Sequence, residues 1–131
     1  MAPEIRYDGV HCAIAIERPA PEVLVLRISG TDVGEFGDAP MQGLEERLAG
    51  GPPVRLFIDA RDTRGASIEV SADWARWLGA HRSQLRAIDM LTGSRYIEVT
   101  AGFVRRFADL HGVMRIYTDP KAFDAALADA I

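Results

Sequence analysis

Apolar and polar residues alternate from His11 to Arg18, which places Cys12, Ile14 and Ile16 on one face of a half-buried strand. Pro19 and Pro21 cannot continue a ladder and mark a turn. Val23–Ser29 is apolar on both faces for most of its length, and Gly30 closes it. Two such runs with a short connection predict an antiparallel hairpin. Asp38 followed by Pro40 predicts a helix start, with Met41, Leu44 and Leu48 on one face and a stop at Gly50–Pro53. Val54–Ile58 is the third strand, with Asp59 at its carboxyl end, and Arg61–Ser71 reads as a polar loop.

Ser71 is a suitable cap for the next helix, with Asp73 in its first turn. Trp74, Trp77, Leu78 and His81 then fit one buried stripe. The two tryptophans point about 60° apart on a helical wheel, an arrangement that puts Trp74 in the core and Trp77 at a rim. Leu85–Leu91 reads as a fourth strand interrupted by Asp89. Val99, Phe103, Val104, Phe107 and Leu110 predict a third helix ending near Gly112; Tyr96–Thr100 is also compatible with extended structure. Val113–Thr118 is a short strand. Asp119 and Pro120 open a last helix with Phe123, Leu127 and Ile131 facing inward.

The order is ββαβαβαβα, an α/β domain with a mixed central sheet of about five strands and about four helices. The expectation is one domain over residues 1–131, with 1–10 as a candidate flexible segment. A 48% hydrophobic, 26% charged composition is ordinary for a globular chain and excludes a disordered one. Residues 1–50 hold nine acidic and four basic side chains, so most of the net charge of −4 sits there. Such a surface argues against nucleic acid as a partner. Cys12 is the only cysteine, so no internal disulfide forms. The residues from Met1 to Arg6 lack a secretory pattern, and no apolar run reaches membrane length; the expected compartment is the cytoplasm.

Candidate chemistry is sparse. Asp59 and Asp62 could share a hard cation, but nothing beside them cradles phosphate, and pairing with Arg61 or Arg64 accounts for them. His11, His81 and His111 have no metal-ligand spacing. Thr92–Arg95 offers backbone N–H groups to an anion and serves equally as a plain turn. No nucleophile-elbow motif is present. No cofactor is expected.

The run from Val23 to Gly30, the helix after it, the strand Val54–Asp59 and the serine-led helix at Ser71 resemble the STAS fold of sulfate transporters and anti-sigma-factor antagonists. The closing segment Arg115–Leu127 is similar to the sporulation-antagonist-like branch, which is grouped with lipid-transfer domains of the CRAL-TRIO type. The resemblance spans about residues 20–131 in order and spacing. It implies a non-enzymatic regulatory module that binds another protein, in some members under phosphoserine control. The switch motif of such antagonists, an Asp-Ser-x-Gly-like sequence at the start of the helix after the third strand, has no match here. Ser71 lies between Val70 and Ala72, and Ser67 lacks the acidic neighbour and the glycine. Asp62, Thr63, Arg64, Ser67, Ser71 and Trp77 are the candidate interaction or switch surface. A carrier of a small ligand or lipid is the alternative function, and an enzyme the third.

Overall fold

The structure is a computed structural model that describes residues 3–131. Its strands are β1 (Ile5–Asp8), β2 (Cys12–Ala20), β3 (Val23–Asp32), β4 (Val54–Ala66), β5 (Leu85–Thr92) and β6 (Met114–Tyr117). Its helices are α1 (Ala39–Leu48), α2 (Ile68–Ala80), α3 (Arg95–Phe107) and α4 (Pro120–Ala130), with a 3₁₀ turn at Arg82–Gln84. The strands lie in one sheet in the order β1-β2-β3-β4-β5-β6. The first two pairings are antiparallel and the last three parallel.

This topology follows from the connections. Tight turns join β1 to β2 and β2 to β3, whereas each later strand is reached through a helix, which forces a parallel neighbour. Alternation along the central strands divides the core. Leu24, Leu26, Leu56, Ile58 and Ile88 face α1, α2 and α3. Val23, Val25, Phe57 and Leu91 face the other way, towards Phe123 of α4. Phe57 and Phe123 meet edge-on with centroids 5.7 Å apart.

The sheet has six strands rather than five, because Ile5–Asp8 pairs along Ala13–Ile16. Tyr7 ties that edge to the helical layer by donating to the Ala39 carbonyl at 3.1 Å. β4 is also longer than expected. The polar stretch after Asp59 is not a loop: it continues beside β3, with Ser29 opposite Asp62, Gly30 opposite Thr63 and Asp32 opposite Ala66. Two register shifts accommodate it, and Gly30, at φ +85°, leaves no room for a Cβ, which would stand 2.3 Å from the His11 carbonyl oxygen.

α3 settles the alternative left open at its start and ends at Phe107 rather than near Gly112. It begins at Arg95, behind a Ser94 hydroxyl that accepts from the Ile97 N–H at 3.2 Å, so Tyr96–Thr100 is helical. Its buried face is Ile97, Ala101 and Val104, with Leu110 buried beyond the helix end. Val99, Phe103 and Phe107 are exposed. On α4, Phe123 is buried and Leu127 partly so, but Ile131 lies past the helix and is exposed. Asp89 does not interrupt β5, which runs through it to Thr92.

Candidate functional site

The predicted surface lies where β4 ends and α2 begins. The two meet with no intervening loop: Ala66 closes the strand, Ser67 turns the chain, and Ile68 starts the helix. Ser67 is the cap. Its Oγ accepts from the Val70 N–H at 3.1 Å, while its own N–H donates to the Asp32 carbonyl at 3.0 Å. Ser71, expected in that role, sits one turn inside. It is buried, and its hydroxyl donates back to the Ser67 carbonyl at 3.0 Å. The extension of β4 moves the helix start four residues upstream, and this leaves Ser71 in the first turn.

Thr63 is also buried rather than looped out, with Oγ1 donating to the Ile28 carbonyl at 2.8 Å. Asp62 and Arg64 alternate with it and are exposed. Asp62 stands on the rim of a surface depression of ≈ 200 Å³ with Arg6 and Arg27. Ile68, the first residue of α2, is 83% exposed. The sequence signal for it was an isolated apolar residue immediately after a serine.

Trp77 does not belong to this surface. It is buried, its indole N–H donates to Glu45 Oε1 at 3.1 Å, and His81 stacks on its ring at 4.2 Å between centroids. His81 Nε2 lies 3.3 Å from the same Glu45 oxygen. The cluster therefore ties α2 to α1. Trp74 is the half-buried member of the pair, the reverse of the expected arrangement: α1 covers Trp77 through Glu45, whereas Trp74 lines the cavities on either side of Val70 and Asp32.

The other candidate groups satisfy one another. Asp59 accepts from Arg61 Nε at 3.0 Å, and Arg61 reaches Asp124 of α4 at 2.6 Å. The hydrogen bond to Asp124, with that to Asp59, raises the guanidinium pKa and holds it charged. Asp89, buried under α4, takes a bidentate pair from Arg55 at 3.0 and 2.9 Å and a hydrogen bond from the Tyr117 hydroxyl at 2.6 Å. Burial, with Asp32 and Glu35 nearby, pushes the Cys12 thiol up to about 12, so it stays protonated and unreactive at neutral pH. Thr92 donates to the Tyr117 carbonyl at 3.2 Å and Ser94 caps α3, so that segment serves as a structural turn. Among the described residues no three His, Cys, Asp or Glu side chains are grouped to hold a metal. No helix is long and apolar enough to cross a membrane.

The more apolar of two equal-sized cavities in the helical layer lies between α2, α3 and the sheet. It measures ≈ 80 Å³ and is walled by apolar side chains such as Ile58, Met90, Trp74, Leu78 and Ile97, with Asp32 and Thr63 at its edge. That is about half the ~150 Å³ of a dry cavity known to take up benzene. It suits a group of a few carbons, not a lipid.

No family model matches the sequence, and no curated protein matches it. Solved structures that share its architecture include two with near-complete overlap. An uncharacterized protein of the DUF3478 family from Shewanella loihica, described as having a SpoIIAA-like fold, aligns with a TM-score of 0.66 and 21% identity, over 95% of this chain and 98% of that one. The anti-sigma factor antagonist SpoIIAA in its unphosphorylated form aligns with a TM-score of 0.56 and 15% identity, over 88% of this chain and 96% of that one. Identities this low establish architecture alone. The chain has a STAS-like fold of the SpoIIAA type.

Proposed function

We propose that this chain is a non-catalytic regulatory domain that works by binding another protein. The observation carrying this reading is the exposed junction at the start of α2, where Asp62 and Arg64 near the end of β4 and Ile68 at the head of the helix are all open to solvent. Exposed apolar and arginine side chains such as Ile68 and Arg64 are the groups that protein interfaces draw on. The likeness to the antagonist SpoIIAA supports it at the level of fold. The pairing of Asp59, Asp89, Arg55 and Arg61 within the scaffold supports it as well, since these groups are engaged in holding elements together.

Recognition in this reading does not use a phosphoserine switch. The motif is missing from the sequence, Ser71 is buried, and the Ser67 oxygen is engaged in capping. Trp77 drops out of the proposed surface and Ile68 takes its place, leaving Asp62, Arg64 and Ile68 as contacts and Thr63, Ser67 and Ser71 as the frame beneath them.

The test is the double variant Arg64→Glu with Ile68→Asp. It should lose capture of the partner recovered with the wild-type chain from host cells while melting at the same temperature. Undiminished capture by a folded variant would reject this surface. The carrier reading rests on the ≈ 80 Å³ cavity and is the weaker of the two, because that volume takes only a small apolar group.

A further inference from the structure

α3 carries two apolar faces, and the fold uses one of them. Ile97, Ala101 and Val104 pack inward. Tyr96, Val99, Phe103 and Phe107 remain 53%, 62%, 44% and 60% exposed. At 100° per residue, Tyr96, Phe103 and Phe107 fall within about 40° of one another, with Val99 beside them, forming a stripe roughly 16 Å long. Phe103 and Phe107 stack with centroids 5.6 Å apart, so the stripe is ordered before anything meets it. Helix propensity favours lysine or glutamate at such positions over valine or phenylalanine, so local structure gives no reason for this composition.

Charge and shape define what fits. Arg95 and Arg106 lie within about 20° of each other on the border of the stripe nearest Val99. Both are exposed, and neither makes an ion pair among the described residues, so their charge is open to a partner. On its other side the stripe runs along α2. Tyr96 donates to the Ala66 carbonyl at 3.2 Å at one end, and at the other a Cβ on Gly79 would lie 3.6 Å from the Ala108 Cβ. Ile68, Ala72, Ala75 and Gly79 share that face of α2, so between the helices a row of small residues headed by the exposed Ile68 lies beside a row of aromatic ones.

We infer that this groove docks an amphipathic helix of a partner protein whose apolar face is bordered by carboxylates. The inference rests on the proposed interaction role, continues that surface from Ile68 along α3, and adds the partner's chemistry. Aromatic and arginine side chains are the residues enriched at protein interfaces, and a helix settles into a groove as an i, i+4, i+7 ridge. A second copy of this chain is a poor occupant. A two-fold antiparallel pairing of α3 sets Arg95 against the other copy's Arg106, like charge on like. An anionic lipid surface is also poorly served, because only two arginines face it from a chain of net charge −4, and a flat surface does not fill a groove.

The experiment places a photoreactive residue at Phe103 and, in a separate variant, at Ile68 of the full chain, irradiates host cells, and sequences the cross-linked peptides. The expected Phe103 product is a partner segment with helical apolar spacing and Asp or Glu along one border. The purified partner should then bind the Arg95→Glu, Arg106→Glu variant roughly tenfold or more weakly, and exchanging the contacted carboxylates for arginine should restore binding. Adducts from Phe103 to a second copy, to phospholipid or to a basic segment overturn the inference. So does product from Ile68 with none from Phe103, which leaves the α2 surface standing. No product at either position overturns both.

Discussion

Ser67 and Ser71 lie four residues apart, and their hydroxyls do different work. Ser67 satisfies an N–H that the helix leaves unpaired, while Ser71 bonds a carbonyl that already receives its own backbone N–H. Ser67→Ala should therefore cost about 1 kcal/mol of unfolding free energy in urea, and Ser71→Ala clearly less. An equal loss at both sites would refute the assignment of the cap. Cys12 gives a second residue-level expectation. Its thiol titrates near 9 when unfolded and at about 12 in the folded chain, so the folded state holds a proton that the unfolded state releases between those values. Its contribution is fully present below pH 9 and is lost as pH rises towards 12. Between pH 9 and 10 the wild type should lose roughly 1 kcal/mol relative to Cys12→Ala, followed by denaturant titration at each pH. Parallel curves for the two chains would show that the thiol is not shielded.

At the level of elements, the Asp89–Arg55–Tyr117 cluster joins β4, β5 and β6 under α4. Asp89→Ala strands a partly buried guanidinium and should cost about 3 kcal/mol or more, whereas Tyr117→Phe removes one bond to a charged group and should cost about 1.5 kcal/mol. Comparable losses would mean that the ion pair is not what holds these strands. The same elements show where sequence patterning carries far and where it stops. A period-two run located β2, and runs apolar on both faces located β3 and the cores of β4 and β5, because burial on one or both faces of a sheet dictates the side-chain pattern directly. The far half of β4 was illegible, since Arg61–Ala66 is held by its pairing to β3 and carries no apolar run of its own. The start of α2 shifted with it, and so did the site, taking Ser71 and Thr63 into the interior. Trp74 and Trp77 were both readable as a helical stripe. Which one is buried depends on where α1 lies, and Glu45 supplies the partner that the Trp77 indole needs. In α3 the apolar pattern marked the helix, but its five residues divide between the buried Val104 and Leu110 and the exposed Val99, Phe103 and Phe107, because a helix with two apolar faces offers no sequence mark for the one that meets the sheet.

For the whole molecule, the arrangement separates framework from surface. Ion pairs and polar contacts knit the sheet to α4 and α1 to α2, and five of the eight large apolar side chains left exposed among the described residues lie at the head of α2 and along α3. That division underlies the central claim, that the chain acts by binding a protein partner. Native mass spectrometry of the full chain, purified from its own host without denaturation, tests it most directly. The account predicts a heteromeric mass of defined stoichiometry that disappears in the Arg64→Glu, Ile68→Asp variant. A bare chain, or a chain that keeps a small-molecule mass increment in wild type and variant alike, would contradict it.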